Sequence, residues 1–178
     1  NYSDIKEVIA PSGTSLIVRA DYFKKIGMFD DSTFLYCDDL DFGWKVWNYG
    51  KTCVMIPQSE VFHKEHGSDL LKSSYYYYMT RNRIWTVIKN TRFREFLWLV
   101  PLTLASSLIQ GFLFIYSKKQ DLAKSTFRGI IDSIFSTKLR LVIRTRISSP
   151  KTFAAINQVF GVKSSIHLLR QKMREHLP

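Results

Sequence analysis

Residues 96 to 116, FLWLVPLTLASSLIQGFLFIY, run for 21 positions without a charge. As a helix they would reach about 31 Å, close to the thickness of a bilayer's hydrocarbon core. The segment is not uniformly apolar, because Thr103, Ser106, Ser107 and Gln110 gather on one helical face and Pro101 stands near its start. Its flanks are basic on both sides, KNTRFR before and Lys118-Lys119 after. A spanning helix prefers positive charge at one end. The pattern therefore predicts a helix over about 96–116 that lies in or against a membrane surface, ahead of true spanning and of a buried bundle helix.

The charge around it is divided. Residues 1–80 hold 8 Lys/Arg and 11 Asp/Glu, a net of −3, while residues 81–178 hold 18 and 4, a net of +14. The sequence thus reads as two units meeting near Thr80. The second is a basic, mostly helical extension in which AKSTFRGIIDSIF, STKLRLVIRTRIS and 161–177 form amphipathic helices. Basic surfaces of this kind seek phosphate-bearing partners, anionic lipid or nucleic acid. No recognition-helix, zinc-finger or RNA-binding pattern is present, and the apolar 21-mer suits nucleic acid poorly, so an anionic membrane surface is expected and nucleic acid is not. Two cysteines, Cys37 and Cys53, both in apolar settings, are expected to be buried thiols in a reducing compartment.

The first unit alternates strand and helix signals, which predicts an α/β layer. SGTSLIVRA (12–20) reads as a buried strand, and DYFKKIGMF as a short helix stopped by Gly27. FDDSTFLY reads as a turn and an extended aromatic segment. A helix follows from Asp38 to about Tyr49, ended by Gly50; then come KTCVMIP as a strand and a last short strand in SEVFHKEHGS.

Three carboxylates, Asp38, Asp39 and Asp41, crowd the start of that second helix. A helix N-terminus favours acids, so capping is one reading; metal binding and proton abstraction are the others. Leu40, Trp44 and Trp47 form the buried stripe, and Asp41 pairs with Lys45 one turn on, as a surface or supporting ion pair. Asp39 has Gly43 one turn ahead. Glycine costs a helix interior about 1 kcal/mol against alanine, so Gly43 leaves room either for a ligand or for a neighbouring backbone.

An ordered string carries more than any one of these residues: Ser12-Gly13, Arg19, Gly27-Met28-Phe29-Asp30, Phe34-Leu35-Tyr36, Asp38-Asp39-Leu40-Asp41, Trp44-Lys45, Gly50, Pro57 and Val61-Phe62-His63, then Arg81-Asn82-Arg83 after an aromatic run. Over roughly residues 10–85 it resembles the second half of the catalytic domain of family 2 glycosyltransferases, the inverting enzymes of GT-A fold, above all their rhamnosyltransferase-like and galactofuranosyltransferase-like members. Asp38 stands where that family usually has Glu, and Lys45 where Arg is common.

The resemblance implies an α/β fold in which 1–80 is the C-terminal half of a GT-A domain and 81–178 a membrane-associated extension at the cytoplasmic face of the membrane. It implies a nucleotide-diphosphate sugar donor, a glycan or lipid-linked acceptor, and a role in cell-surface polysaccharide synthesis. It makes Asp39 the general base, with Asp38 as supporting acid, and His63 a ligand to Mn²⁺ or Mg²⁺. Asp41, Trp44, Arg81 and Arg83 become substrate-binding candidates, although Arg81 and Arg83 read equally as a solvated helix face. A zinc site from His63 and His66 lacks further ligands. The family's nucleotide pocket and Asp-x-Asp metal motif belong to a preceding half, so residues 1–178 are expected not to turn over alone. The rival readings are a nucleotidyltransferase-like enzyme and a non-catalytic membrane-binding or scaffold module that retains the fold remnant.

Overall fold

A computed structural model describes residues 4–63, 71–144 and 146–149. His66, the Gly67-Ser68 loop and the expected helix at 161–177 lie outside them. The described elements run β1 (Lys6–Val8), α1 (Ala20–Lys25), α2 (Asp38–Asn48), β2 (Cys53–Met55), α3 (Lys72–Asn90), α4 (Phe93–Tyr116), α5 (Gln120–Phe135) and α6 (Leu139–Arg144). The architecture is mostly helical. Its described sheet is a single antiparallel pair in which Val8 of β1 faces Cys53 of β2.

That small sheet corrects two expectations. Residues 12–19 form no strand beyond an isolated bridge between Ser12 and Ser15. A strand needs a partner for its backbone groups, and among the described residues none lies alongside. Val18 still packs into the core formed by Ile26, Phe42, Val46 and Cys53, while its neighbour Ile17 is fully exposed. Residues 59–63 are likewise irregular. Strand β1, in turn, forms where no strand pattern is present, since it is three residues long and carries charge at Lys6 and Glu7.

Helix α2 forms as its pattern predicts. Gly50 takes φ +74°, and the Lys51 N–H reaches back to the Val46 carbonyl at 3.1 Å, closing the helix in a left-handed stop. Every residue from Asp41 to Trp47 is buried. The question raised by Gly43 is decided in favour of backbone packing. A Cβ there would sit 2.5 Å from the Cα and Cβ of Ala10 and 2.7 Å from the Ile9 carbonyl.

Helix α3 is the hub, and it runs unbroken through Thr80, where the charge balance changes sign. It touches α2, α4, α5 and α6. Gly129 of α5 allows the closest approach, since a Cβ there would meet the Tyr77 carbonyl at 2.7 Å. Trp85, fully buried, donates from its indole to the Ser133 carbonyl at 2.9 Å. At its far end α3 delivers Lys89 between Asp41 (2.8 Å) and Asp30 (2.5 Å), and Lys45 completes the cluster at 3.1 Å from Asp41. Lys89 and Asp41 are each 1% exposed, so of the two settings expected for the Asp41–Lys45 pair, surface or supporting, the surface one is excluded and the pair is interior. The segment after α6 closes this end: the Ile147 N–H bonds the Lys89 carbonyl, and Asn48 bonds Ile147 and Ser149.

Helix α4 forms slightly longer than predicted and is turned inside out. Its buried positions are Glu95, Ser107 and Gly111, whereas Leu97, Leu102, Ile109, Phe112 and Leu113 stand half or more exposed. The Ser107 hydroxyl accepts from Arg83 at 2.9 Å and donates to the Thr103 carbonyl.

Gly43→Ala is expected to lower stability by about 1–3 kcal/mol, because the clash with Ala10 outweighs the gain in helix propensity; an unchanged urea midpoint would contradict the packing. A second expectation concerns acid. Burial pushes the Asp30 carboxyl up, but hydrogen bonds from Lys89 and Ser32 and the ammonium's charge outweigh it and hold the group at about 2, below its ordinary 3.8. A lowered carboxyl stabilises the fold above its unfolded value and loses that contribution as pH falls through its folded one. Stability should therefore drop between about pH 4 and 2, and urea titrations of Asp30→Asn should show a shallower slope there.

Candidate active site

The mouth of α2 is built by the turn before it. Phe34, Tyr36 and Cys37 all take left-handed backbone angles, with φ of 63°, 64° and 62°. Side chains other than glycine rarely adopt these values without support. The expected extended aromatic segment is thus a tight, strained loop, and Cys37 is the residue that precedes the helix. The support comes from α3. Asn82, with no exposed surface, donates from Nδ2 to the carbonyls of Thr33 (2.9 Å), Leu35 (2.6 Å) and Tyr36 (3.0 Å). Arg81 adds a bond to the Thr33 carbonyl at 3.0 Å and stacks its guanidinium 4.4 Å from the Trp85 ring.

On that support stand the two leading acids. The Asp39 carboxylate accepts the Gly13 N–H at 2.9 Å through Oδ2 and the Leu40 N–H at 2.7 Å through Oδ1. Asp38 precedes it in the same first turn, where the helix dipole favours negative charge. Both are partly accessible. Beside them runs a line of edge-on rings: Tyr36 meets Tyr75 at 4.8 Å, Tyr75 meets Tyr76 at 5.1 Å, and Tyr76 reaches Phe114 of α4 at 4.7 Å. Phe34, 72% exposed, leans on Tyr78.

Cys37 lies within this field. Burial pushes its thiol up to about 12, the Asp39 charge adds to the rise, and Arg83 opposes it. Burial likewise lifts Cys53 to about 11. Both cysteines are free and buried, so neither is a thiolate near neutral pH.

The other candidates fall elsewhere. Asp41, Trp44 and Arg81 are buried, at 1%, 7% and 7% exposure, and present no surface to a substrate. Asp41 is consumed by Lys89, Lys45 and Asn90, and Arg81 by the loop it supports. Arg83 is half-buried and bonded to Ser107. His63 is exposed, on the irregular segment after β2. Among the described residues no three His, Cys, Asp or Glu side chains converge, so they do not by themselves form a metal site.

Sequence reasoning missed Asn82 and the ring line. Their signal was the Arg-Asn-Arg triplet after four consecutive tyrosines, Tyr75 to Tyr78. A single polar residue between two arginines on a helix is read as surface until a neighbouring loop's bare carbonyls are known.

The chain belongs to Glycosyl transferase family group 2, whose family model matches residues 2–156. Two curated relatives, both named N-acetylglucosaminyl-diphospho-decaprenol L-rhamnosyltransferase, come from Mycobacterium tuberculosis strains CDC 1551 / Oshkosh and ATCC 25618 / H37Rv. Each is 38% identical over 58 residues, which is 32% of this chain and 19% of the relative. The match thus spans about a fifth of the relatives' length. No solved structure matches the chain significantly.

Removing Asn82 tests how the mouth is held. Asn82→Ala removes the donor shared by three carbonyls, of which Thr33 alone keeps Arg81, and is expected to cost about 2–4 kcal/mol. Cys37, inert to iodoacetamide at pH 8 in the parent, should become alkylated in the variant, as read by mass spectrometry. A variant as inert as the parent would show that the loop does not rely on Asn82.

Proposed function

We propose that the protein is an inverting glycosyltransferase, moving a sugar from a nucleotide-diphosphate donor to a glycan or lipid-linked acceptor in cell-surface polysaccharide synthesis. The observation that carries this is the Asp38-Asp39 pair, partly accessible at a helix mouth that a dedicated loop holds open, in a chain of this family. The relatives' name gives an N-acetylglucosaminyl-diphospho-decaprenol, which supports a lipid-linked acceptor. A GT-A fold with its C-terminal half at 1–80 is part of the same reading.

In an inverting transfer the acceptor oxygen attacks the anomeric carbon as the bond to the diphosphate breaks, and the acceptor proton must go to a base. Asp39 takes that proton. Its Oδ2 is fixed by the Gly13 N–H, which orients the carboxylate without a charged partner. Asp38 keeps the mouth anionic. Phe34, Tyr36 and Tyr75 offer ring faces and edges on which a sugar can rest. Family members generally use a divalent cation, Mn²⁺ or Mg²⁺, which would balance the departing diphosphate, and His63 is proposed as one imidazole ligand to it.

The membrane reading rests on α4, a 24-residue helix whose apolar side faces outward and which contains an 18-residue stretch of mean hydropathy 1.7. Its inward side carries Ser107 and Gly111, an arrangement that suits lipid outside, although Ser106 is exposed. The cytoplasmic face of the membrane is the proposed location, and the helix supports membrane association without choosing the side. The same helix favours the runner-up, a non-catalytic membrane module.

Asp39→Asn in the full-length enzyme decides between them. Transfer should fall by about 100-fold or more while donor binding persists, measured by radiolabelled sugar incorporation and by donor titration. Substantial residual transfer would remove Asp39 from its role, and wild-type protein without any transfer would leave the module.

A further inference from the structure

A cleft of about 670 Å³ opens far along α2 from Asp39, between the end of α1 with its following loop, the end of α2, and α6 with the segment after it. Its charge is unbalanced. Lys45 on its wall is taken by Asp41, and Asp30 by Lys89. Arg146 spends its N–H groups on the Thr91 carbonyl, a neutral partner, and so keeps its charge. Lys25, Lys138 and Arg144 line the same space exposed, against the single unpaired acid Asp31. The cleft therefore carries a surplus of about three positive charges by this pairing.

Two features say what kind of anion fits. The ends of α1 and α2 that border the cleft are C-termini, whose dipoles repel anions, so attraction must come from the side chains of α6 and its surroundings. Those side chains alternate with apolar ones that have no cover: Leu141 and Ile143 are each 52% exposed, and Phe135 just before them is 78% exposed. Leu141 itself lines the cleft. A cationic pocket continuous with bare aliphatic surface suits an anion attached to a hydrocarbon better than a free ion.

We infer that this cleft binds a phosphate or diphosphate group carried on a lipid, through Lys25, Lys138 and Arg144. Arg146 shapes the site by tying the segment after α6 to the end of α3. The site is separate from the mouth of α2, and its binding does not depend on sugar transfer.

The test is flotation of the full chain with vesicles, comparing phosphatidylcholine alone with phosphatidylcholine carrying phosphatidylglycerol or, at matched charge, a polyprenyl diphosphate. The triple variant K25Q/K138Q/R144Q should lose at least tenfold in affinity for the charged vesicles. A control of equal charge change at exposed sites outside the cleft, K24Q/K51Q/K72Q, should stay within about twofold, since distant exposed charges are screened by salt. Circular dichroism melts confirm that both variants are folded, and Asp39→Asn should bind vesicles like the parent. Preference for the polyprenyl diphosphate assigns the carrier lipid, and equal binding assigns the bilayer headgroup; either supports the site. Equal losses in the two triple variants, or none in either, would overturn it by reducing the effect to net charge. Soluble diphosphate bound as tightly as the vesicles would overturn the lipid half of the inference.

Discussion

The side chain of Lys89 holds this molecule together at the point where its two differently charged parts meet. Its ammonium, almost without exposure, sits between Asp41 of α2 and Asp30 of the preceding loop, with Lys45 closing a neutral set of two acids and two bases. Stripping four charges of water is expensive, and their mutual attraction recovers the cost only when each has its partner. Loss of one member would leave the others buried and unpaired, at about 3–5 kcal/mol. What the cluster confers is register: it fixes the rotation of α2 against α3, and thereby the direction in which the first turn of α2 points.

The opposite end of the same contact fixes the loop. Asn82 and Lys89 are seven residues apart on α3, two helical turns, and so share a face. One meets the carbonyls of the loop before α2 and the other meets α2 itself. A strained turn with three left-handed residues can persist only where its surroundings determine it so fully. Asp38 and Asp39 inherit their position from both anchors. The buried arginine beside Asn82 belongs to this support, which explains why a residue that looks ready to grip a phosphate is committed inward.

The other face of α3 serves a second purpose. It carries α5 at backbone distance through Gly129 and holds α4 by Arg83 and Ser107. With Ser107 bonded inward, α4 turns its bulk apolar side outward. The aromatic line from Tyr36 to Phe114 joins that helix to the candidate active site. A lipid-borne substrate entering along α4 would therefore meet rings before it meets Asp39.

Much of this was legible in the residues. Helix α2 with its glycine stop, the long apolar helix, the amphipathic α5, the short basic α6, the buried thiols and the family itself follow from local periodicity, caps and an ordered motif string, which depend on neighbours in sequence. Tertiary structure alone decided the rest. Whether Gly43 admits a ligand or the chain at Ala10, whether Asp41 and Arg81 meet solvent or an interior partner, and whether 12–19 pairs as a strand all depend on what lies across from them. Sequence records which groups need a partner; only the packed chain supplies it, because burial and pairing are properties of two surfaces rather than one.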